Sequence, residues 1–573
     1  MPATGRSIRA PALAACVALA AALGPARGAS AQNPAVACSG QRISSVTVMT
    51  RPPFHGQKGR LVEYGVRAAN VLHKTTDTDV VRRFLLLSTG DRCSERLRTE
   101  SERIMRGQPF IADARVRTID DGEGGVQIAV ETIDEFTPIV GMRTSGASVT
   151  GVKLGDGNFL GSGRHVEAEY RKGDGRDLYG ARMTDYQFAG RPWIVDVNAR
   201  RGFEGEHQYF GDVYHPFYVD EQRTAWRTRV SDGKELFGLH RSDQDDALVD
   251  IRRRFFDVGG VIRVGVPGRL SLFGLSFSRE EDSPALPPTL DPGVDYSSLL
   301  GQFKSRNNAR INALWGVRNV YYRKAERLDV LNATQDVRHG FQLGVIFGRS
   351  INVFGTSDDD ILVGTDVYLG IGRRSTFFRF QGRGEGRQNY DDNSWDGIIA
   401  SASGSLFQRL TEHHTAVLTG DFGAGWRQRI PLQLTLGDQD GGVRGYADSR
   451  DAGARRTVVR LEDRWYIGGV FDQADVGVSP FVDAGFLRAG DAPYGVSTPT
   501  RFGAGLGVLV AVPRGSQRTF RVDFAYALSK DPNAKWEIRI SNIDARRQGF
   551  REPGDVARSR EQSVPASVFS WPY

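Results

Sequence analysis

Long apolar runs are missing from this chain beyond its N-terminal segment. No later run reaches the roughly 18 residues that a transmembrane helix requires. The chain has 573 residues, of which 25% are charged, and its mean hydropathy is −0.37. It is therefore long enough for two or more domains and too polar for a helical membrane protein.

Clustered basic residues are missing as well. The chain has 75 Lys and Arg against 68 Asp and Glu, and this small excess is spread along its length. Proteins that bind nucleic acid usually gather their basic residues into a patch or stripe. The distribution therefore argues against nucleic acid as a partner.

Catalytic motifs are a third absence. The sequence has no Gly-x-Ser-x-Gly elbow, no His-Glu-x-x-His pair and no phosphate-binding loop. Its 9 histidines are scattered, and we interpret the isolated cluster Glu412-His413-His414 as a solvated turn and not as a metal site. We therefore expect no enzymatic activity, no cofactor and no metal.

Residues 1–31 have the pattern of an export signal. Two arginines precede the apolar stretch 12–23, and the small residues 29–31 form a cleavage site. The mature chain is therefore expected to begin with a short segment, 32–40.

Cysteine is scarce, and its distribution fits export. Of three cysteines, Cys16 leaves with the signal segment, and the even pair Cys38 and Cys93 could close one disulfide. The alternative is two unpaired thiols, because the sequence gives no Cα separation to compare with bridging geometry.

Residues 41–134 are predicted to form a compact α+β domain. A strand precedes two amphipathic helices, the second of which begins at Ser94 and stops at Gly107. The strands 111–119 and 126–133 follow, joined by an acidic, glycine-rich turn. An edge strand of this sheet could pair with a client chain by strand addition.

Residues 136–544 lack amphipathic helices and consist of alternating strands separated by Gly, Asp, Asn and Pro turns. In the segment 309–318, Ile311 and Trp315 alternate with Arg310 and Asn312. A soluble sandwich also alternates, but the many segments, the charged polar face and the aromatics near strand ends favour a transmembrane β-barrel. At roughly 25 residues per strand and connection, we expect about sixteen antiparallel strands.

A glycine-rich loop carries a single arginine at its tip. The sequence Gly441-Gly442-Val443-Arg444-Gly445-Tyr446 lies between strand-like segments, and its glycines permit a tight turn. A lone cation in this setting indicates a specific acidic partner.

The later strands offer two acids. Alternation places Glu462 on the luminal face of the segment 459–467, together with Arg460, Arg464 and Tyr466, and Phe481, Asp483 and Gly485 on that of 476–486. A turn centred between residues 472 and 473 would set Glu462 opposite Asp483. Facing carboxylates repel unless a cation lies between them.

A guanidinium suits this position because its forked donors can bind carboxylates in pairs. We therefore expect Arg444 to reach into the lumen and bind Glu462 and Asp483. The alternative is an exposed loop arginine with two unrelated luminal acids. Glycines that alternate within strands, at 423, 425, 503, 505 and 507, are interpreted as bulges or barrel bends.

These residues resemble a known family. Val443-Arg444-Gly445-Tyr446 resembles the luminal-loop signature of the BamA/TamA and two-partner-secretion superfamily, also called the bacterial surface antigen family. Phe481-Val482-Asp483-Ala484-Gly485 resembles its Phe-x-Asp-x-Gly strand motif, and Glu462 lies where its other luminal acid is expected. Residues 158–163 resemble the entry to the family's barrel, and residues 41–134 resemble a single POTRA domain.

The resemblance implies a bacterial outer-membrane barrel with its POTRA domain in the periplasm. It implies a protein that inserts unfolded outer-membrane clients or exports secreted ones, with the lipid bilayer and periplasmic accessory proteins as partners. The alternative is a passive pore or surface-interaction barrel without transport activity. The single POTRA domain departs from the usual two or more, and the tail 545–573 is either a disordered extension or a sign that the last strand is misassigned.

Overall fold

A computed structural model of the protein describes residues 36–54, 73–145, 148–172, 177–202, 205–242, 244–286, 296–299, 301–353, 355–373, 375–391, 393–437, 441–531, 534, 536–545 and 552–560. The predicted signal segment 1–31 lies outside these residues, as do positions 32–35 of the mature N-terminal segment, positions 55–72 of the predicted domain 41–134, and positions 546–551 and 561–573 of the tail.

The N-terminal part of the described chain is a small α+β unit. Its elements are β1 (Ser39–Arg51), α1 (Thr78–Arg82), β2 (Arg92–Ser94), α2 (Glu95–Arg106), β3 (Ile111–Asp120) and β4 (Val126–Asp134). The sheet order is β2-β1-β4-β3, with β1 parallel to β4 and both other pairs antiparallel. We call this unit the small domain.

Local sequence accounts for the boundaries of the small domain. Helix α2 follows Ser94 at its N-cap, carries Glu95 in its first turn and ends at Gly107, which matches the predicted helix. Its inner face and the sheet bury a core that includes Ile43, Val81, Met105, Phe110 and Ile128. Cys38 and Cys93 form a disulfide with Cα atoms 5.2 Å apart, so the residue before β1 is tied to β2.

The remaining strands are β5 (Pro138–Ser145), β6 (Ser148–Asp156), β7 (Arg164–Arg171), β8 (Leu178–Asp185), β9 (Ile194–Gly202), β10 (His207–His215), β11 (Thr224–Arg241), β12 (Gln244–Val266), β13 (Arg269–Ala285), β14 (Arg306–Glu326), β15 (Thr334–Ser350), β16 (Asp360–Gly372), β17 (Thr376–Asn389), β18 (Trp395–Arg409), β19 (His414–Trp426), β20 (Leu434–Thr435), β21 (Ala452–Gly453), β22 (Arg455–Val470), β23 (Ala474–Arg488), β24 (Arg501–Ala511), β25 (Arg518–Ala527) and β26 (Trp536–Asp544). A short helix, α3 (Gly554–Ser559), follows.

Twenty of these strands, all except β20 and β21, form a closed barrel within the described residues, and β26 lies beside β5. The expected sixteen strands were therefore wrong. The cause is the segment from β5 to β10, whose six strands have only 8 or 9 residues each and short connections. A uniform spacing of about 25 residues per strand undercounts such a region.

The barrel wall is uneven. Strands β11 to β15 have 17 to 23 residues. On the opposite side, β25, β26 and β5 have 10, 9 and 8 residues. The place where the last strand meets the first therefore lies in the short part of the wall.

Side chains alternate across the wall as predicted for 309–318. Ile311 and Trp315 are 51% and 42% exposed on the outer face, whereas Arg310 and Asn312 are buried in the interior. The same division holds along β25, where Phe524 is exposed outside. The outside of the barrel is apolar and its inside is charged.

The small domain docks on one end of the barrel, which we call the near end. Tyr186, Ile194 and Tyr218, from barrel turns and strand ends, complete the core of the small domain. Arg106 of α2 binds Asp336 of β15 through two hydrogen bonds of 2.8 Å. Among the described residues no helix has the length and apolarity needed to cross a bilayer.

Candidate functional site in the barrel lumen

The connection between β19 and β22 lies at the far end of the barrel, and its described residues, 427–437 and 441–454, fold into the lumen. Its short strands β20 and β21 pair with each other inside the wall. Val443 and Tyr446 are fully buried, although they belong to a connecting segment. Gln433 reaches across to strand β11, where it bonds with the backbone of His240. We call this segment the luminal loop.

Arg444 lies at the centre of the luminal loop and is 5% exposed. Its Nε and Nη2 atoms donate to the two carboxylate oxygens of Asp483 at 2.7 and 2.6 Å. Its backbone N–H also donates to Asp483, at 3.1 Å. This two-pronged bond, with both partners buried, is the strongest arrangement available to an arginine and a carboxylate.

Two further carboxylates lie beside the same guanidinium. Arg444 Nη1 is 3.7 Å from Glu462 Oε2 and 3.4 Å from Asp523 Oδ2. Arg521 joins these acids, because it donates to Glu462 and to Asp523 at 2.7 Å each. Arg464 donates to the other oxygen of Glu462 at 2.7 Å. Three guanidinium groups therefore balance three carboxylates, and we call this set the arginine cluster.

The predicted register between the two acid-bearing strands was wrong. Glu462 lies opposite Phe481, and Asp483 lies opposite Arg460. The turn is centred on Asp472, and a bulge between Tyr466 and Gly468 shifts the pairing further. Both acids still face the lumen because the shift is an even number of residues, so they are diagonal neighbours that Arg444 contacts together.

Apolar and aromatic contacts fix the loop around the arginine cluster. The guanidinium carbon of Arg444 lies 3.4 Å from the centroid of the Phe481 ring, a cation–π contact. The Tyr446 hydroxyl donates to the carbonyl of Phe502 at 3.0 Å. Gly445 has φ +98°, and its N–H donates to Glu537 of β26 at 2.7 Å. The loop is thus fastened to β23, β24 and β26.

Glycines of the wall lie directly beneath these luminal segments. A Cβ atom at Gly485 would come within 2.6 Å of Val443, and one at Gly503 would collide with the carbonyl oxygen of Arg444. A Cβ atom at Gly425 would lie 2.8 Å from Leu432. No register shift occurs at these positions. The expected bulges are therefore absent there, and close approach of the luminal loop accounts for Gly425 and Gly503. Barrel bends at the alternating glycines stay a prediction.

All eight residues expected at this site lie inside the barrel or on its inner wall: Val443, Arg444, Gly445, Tyr446, Glu462, Phe481, Asp483 and Gly485. Asp523, Arg521 and Glu537 were not predicted as part of it. Alternation along β25 places Arg521 and Asp523 on the luminal face, but nothing in a single sequence says which distant strands face each other.

The outer edge of β3 is occupied in this structure. Glu102 accepts from the Val116 N–H at 2.9 Å, and Arg98 and Arg106 donate to the carbonyls of Val116 and Ala114 at 2.5 and 2.9 Å. These three α2 residues recur every four positions, and we call them the charged stripe. Farther along, the N–H of Val36 donates to the carbonyl of Thr118 at 3.0 Å.

The charged stripe also docks the small domain onto the barrel. Lys324 of β14 donates to Glu102 at 2.6 Å, and Arg106 binds Asp336. Burial alone would raise the pKa of Glu102, but the bonds from Lys324 and from the Val116 N–H hold this pKa below its ordinary value. Side chains of the charged stripe therefore both cover the edge of β3 and dock the small domain onto the barrel.

Within the described residues no group of three or more His, Cys, Asp or Glu side chains could hold a metal ion. Together these observations define a closed antiparallel barrel with an arginine-centred loop in its lumen and an α+β domain docked at one end.

No protein-family model matches this chain, and no curated protein matches it. Among solved structures, it is similar to CdiB from Escherichia coli at 15% identity and a TM-score of 0.42, over 87% of this chain and 75% of that one. It is similar to BamA from Haemophilus ducreyi lacking POTRA domains 1–3 at 12% identity and a TM-score of 0.37, over 82% and 81% of the two chains. It is also similar to CdiB from Acinetobacter baumannii at 10% identity and a TM-score of 0.39, over 88% and 74% of the two chains.

Proposed function

We propose that this protein is an outer-membrane assembly or translocation factor that receives unfolded clients and inserts or exports them. The observation that carries this proposal is the arginine cluster, in which the luminal loop is clamped to the inner wall through Arg444 and Asp483. In the proposed role, Arg444 is a structural and gating latch that contacts no client.

Clients would enter at the near end, where the small domain acts as a POTRA-like receptor. An extended client segment could add to the outer edge of β3 by backbone hydrogen bonding. The charged stripe now holds that edge, so the client would have to displace Arg98, Glu102 and Arg106. Because the stripe also binds Lys324 and Asp336, strand addition would loosen docking of the small domain on the barrel.

Insertion would proceed beside β26 and β5, where the barrel closes. These strands have only 9 and 8 residues, so few backbone hydrogen bonds can join them. Gly445 of the luminal loop binds Glu537 of β26, so the latch lies directly against this part of the wall. Releasing the latch would free the wall where a client strand could be added.

A passive pore is the less favoured alternative, because the lumen is crossed by the luminal loop and its ion pairs. The export signal, the disulfide between Cys38 and Cys93 and the apolar outer face support an outer-membrane location with the small domain in the periplasm. That location brings the bilayer and periplasmic accessory proteins into reach as partners.

The proposal is tested in the source bacterium by replacing the chain with a variant that lacks residues 41–134. We expect lower levels of outer-membrane barrel proteins if clients are inserted, or of secreted proteins if they are exported. Both are measured by quantitative mass spectrometry of membranes and culture medium. Unchanged levels of both groups would contradict the proposal.

A milder pair of variants guards against misfolding, since the deletion would uncover Tyr186, Ile194 and Tyr218. Asp336→Arg sets two like charges together and should undock the small domain, with the same loss of products. Asp336→Asn removes the ion pair without placing two like charges together, so it should cause a smaller loss than Asp336→Arg.

A further inference from the structure

Residues 552–560 lie inside the barrel, beyond the end of the last strand. Val556 is fully buried against Ile399, Leu432 and Leu434. A Cβ atom at Gly423 of β19 would lie 3.1 Å from Val556, so this side chain sits on the inner wall above a glycine. The C-terminal tail therefore re-enters the lumen after β26 has ended at the near end.

Asp555 is the first ionic anchor of this segment. Its carboxylate accepts from Arg456 Nη1 and Nη2 at 2.5 and 3.0 Å, and both residues are buried. It also accepts from the Thr435 N–H at 3.3 Å. Arg456 belongs to β22 and Thr435 to the luminal loop, so one carboxylate joins the tail, the wall and the loop.

Glu552 and Arg560 form a second ionic anchor, which attaches the segment to the neighbouring strands β17 and β18. Arg560 donates to Glu552 at 2.5 Å and to Glu385 of β17 at 3.0 Å. Glu552 accepts from Ser401 of β18 at 2.5 Å. These contacts involve side chains that alternation would otherwise leave facing an open lumen.

The segment also reaches another part of the wall. Arg253 of β12 donates to the carbonyl of Arg558, and the Arg558 guanidinium carbon lies 5.6 Å from the ring centroid of Phe237 on β11. Residues 552–560 therefore contact β11 and β12 on one side of the barrel and strands between β17 and β22 on another. This short segment bridges the lumen. It is held by charged side chains and one apolar anchor, with no strand pairing.

We infer that the inner wall around Arg456, Glu385 and Ser401 is a binding site for a short polypeptide segment, and that residues 552–560 occupy it in cis as a removable plug. The site selects two acids three residues apart, an apolar side chain directly after the second acid, and an arginine four residues beyond that side chain. Binding of this kind closes the lumen next to the luminal loop and does not depend on the barrel having transport activity.

The first test uses a variant that ends after Ala545, reconstituted in planar bilayers beside the full chain. We expect severalfold higher conductance from the shortened chain, and a return toward the full-chain level when a synthetic peptide of residues 552–560 is added. The same peptide carrying Asp555→Asn should bind the shortened chain at least tenfold more weakly by fluorescence anisotropy, and the full chain should not bind the normal peptide.

Two full-length variants separate the plug from a folding defect. Asp555→Asn with Glu552→Gln should raise conductance, whereas Ala557→Ser, at an exposed position of α3 between the two anchors, should leave conductance unchanged. Gly423→Cys with Val556→Cys should form a disulfide that mass spectrometry can detect. This disulfide should hold the channel closed until a reductant is added. The inference is wrong if that disulfide does not form, or if conductance and peptide binding are the same with and without the tail.

Discussion

A buried arginine with three acids around it can be tested by removing its charge. In Arg444→Met, Asp483 loses its two-pronged partner while remaining fully buried. Breaking a buried ion pair in this way costs about 3–5 kcal/mol. We expect the variant barrel to unfold at a lower temperature, measured by the heat-dependent shift of its band on SDS gels, and to conduct differently in bilayers.

Arg444→Lys keeps the charge but loses the forked geometry, so it should lie between the wild type and Arg444→Met. Adding Asp483→Asn to Arg444→Met removes the uncompensated charge and should recover part of the stability. Wild-type heat resistance and conductance in Arg444→Met would count against the latch.

The glycines under the luminal loop give a second test at single residues. Gly503→Ala places a methyl group against the carbonyl of Arg444, whereas a Cβ atom at Gly420 would meet nothing within 4 Å. Overpacking typically costs about 1–3 kcal/mol. We expect Gly503→Ala to lower the unfolding temperature and Gly420→Ala to leave it nearly unchanged, and equal effects would exclude close approach as the reason for the glycine.

Much of the site was predictable from sequence, because the loop arginine and its acids lie in short motifs with strict alternation. Asp483 and Glu462 were placed on the luminal face correctly. Their register was not, because a bulge between Tyr466 and Gly468 leaves no mark that hydrophobic alternation can detect. The contribution of Asp523 was not predictable, because it depends on where the luminal loop places Arg444 against β25.

At the scale of elements, the charged stripe of α2 predicts a pH-dependent docking contact. The pKa of Glu102 is lowered from its ordinary 4.5 in the folded protein. Its contribution is therefore fully present above that ordinary pKa and is lost as the pH falls through the lower folded value. Limited proteolysis of the small domain should accelerate below about pH 4.5.

Glu102→Gln should bring the same acceleration at neutral pH, because the amide cannot pair with Lys324 and Arg106 as a carboxylate does. Glu123→Gln, in the exposed turn between β3 and β4, serves as the matched control and should behave like the wild type. A flat pH profile for the wild type would argue that the stripe contributes little to docking.

The strands and helices of the small domain follow from sequence more closely than those of the barrel. Capping residues and glycine stops define α2 within a residue, since such signals are local. The short strands β5 to β10 lack long alternating segments. Their number could therefore be determined only from the strand pairing in the structure. Which side chains cover the edge of β3 also depended on the placement of α2 over the sheet.

For the whole molecule, the proposed function predicts where clients first bind. Arg115 of β3 has a side chain that is 63% exposed beside the covered edge. A photo-crosslinking amino acid at this position should capture unfolded outer-membrane or secreted proteins in cells. Crosslinking of clients at this position should increase in the variant Lys324→Ala, because this variant lacks one of the bonds that hold the charged stripe. If no client is crosslinked in the wild type or in Lys324→Ala, clients do not enter at β3.

The uneven wall has a mechanical consequence for the surrounding lipid. A hydrocarbon core is about 30 Å thick, and strands of about 9–11 residues at a tilt near 45° are needed to cross it. Strands β5, β7 and β8 have 8 residues each, whereas β12 has 23. In a bilayer, acyl chains beside the short flank would have to shorten or tilt to cover the apolar surface, at a cost that grows with each ångström of mismatch. The protein would then hold a thinned, strained patch of lipid beside the junction of its first and last strands, while the lipid on its other flank stays relaxed.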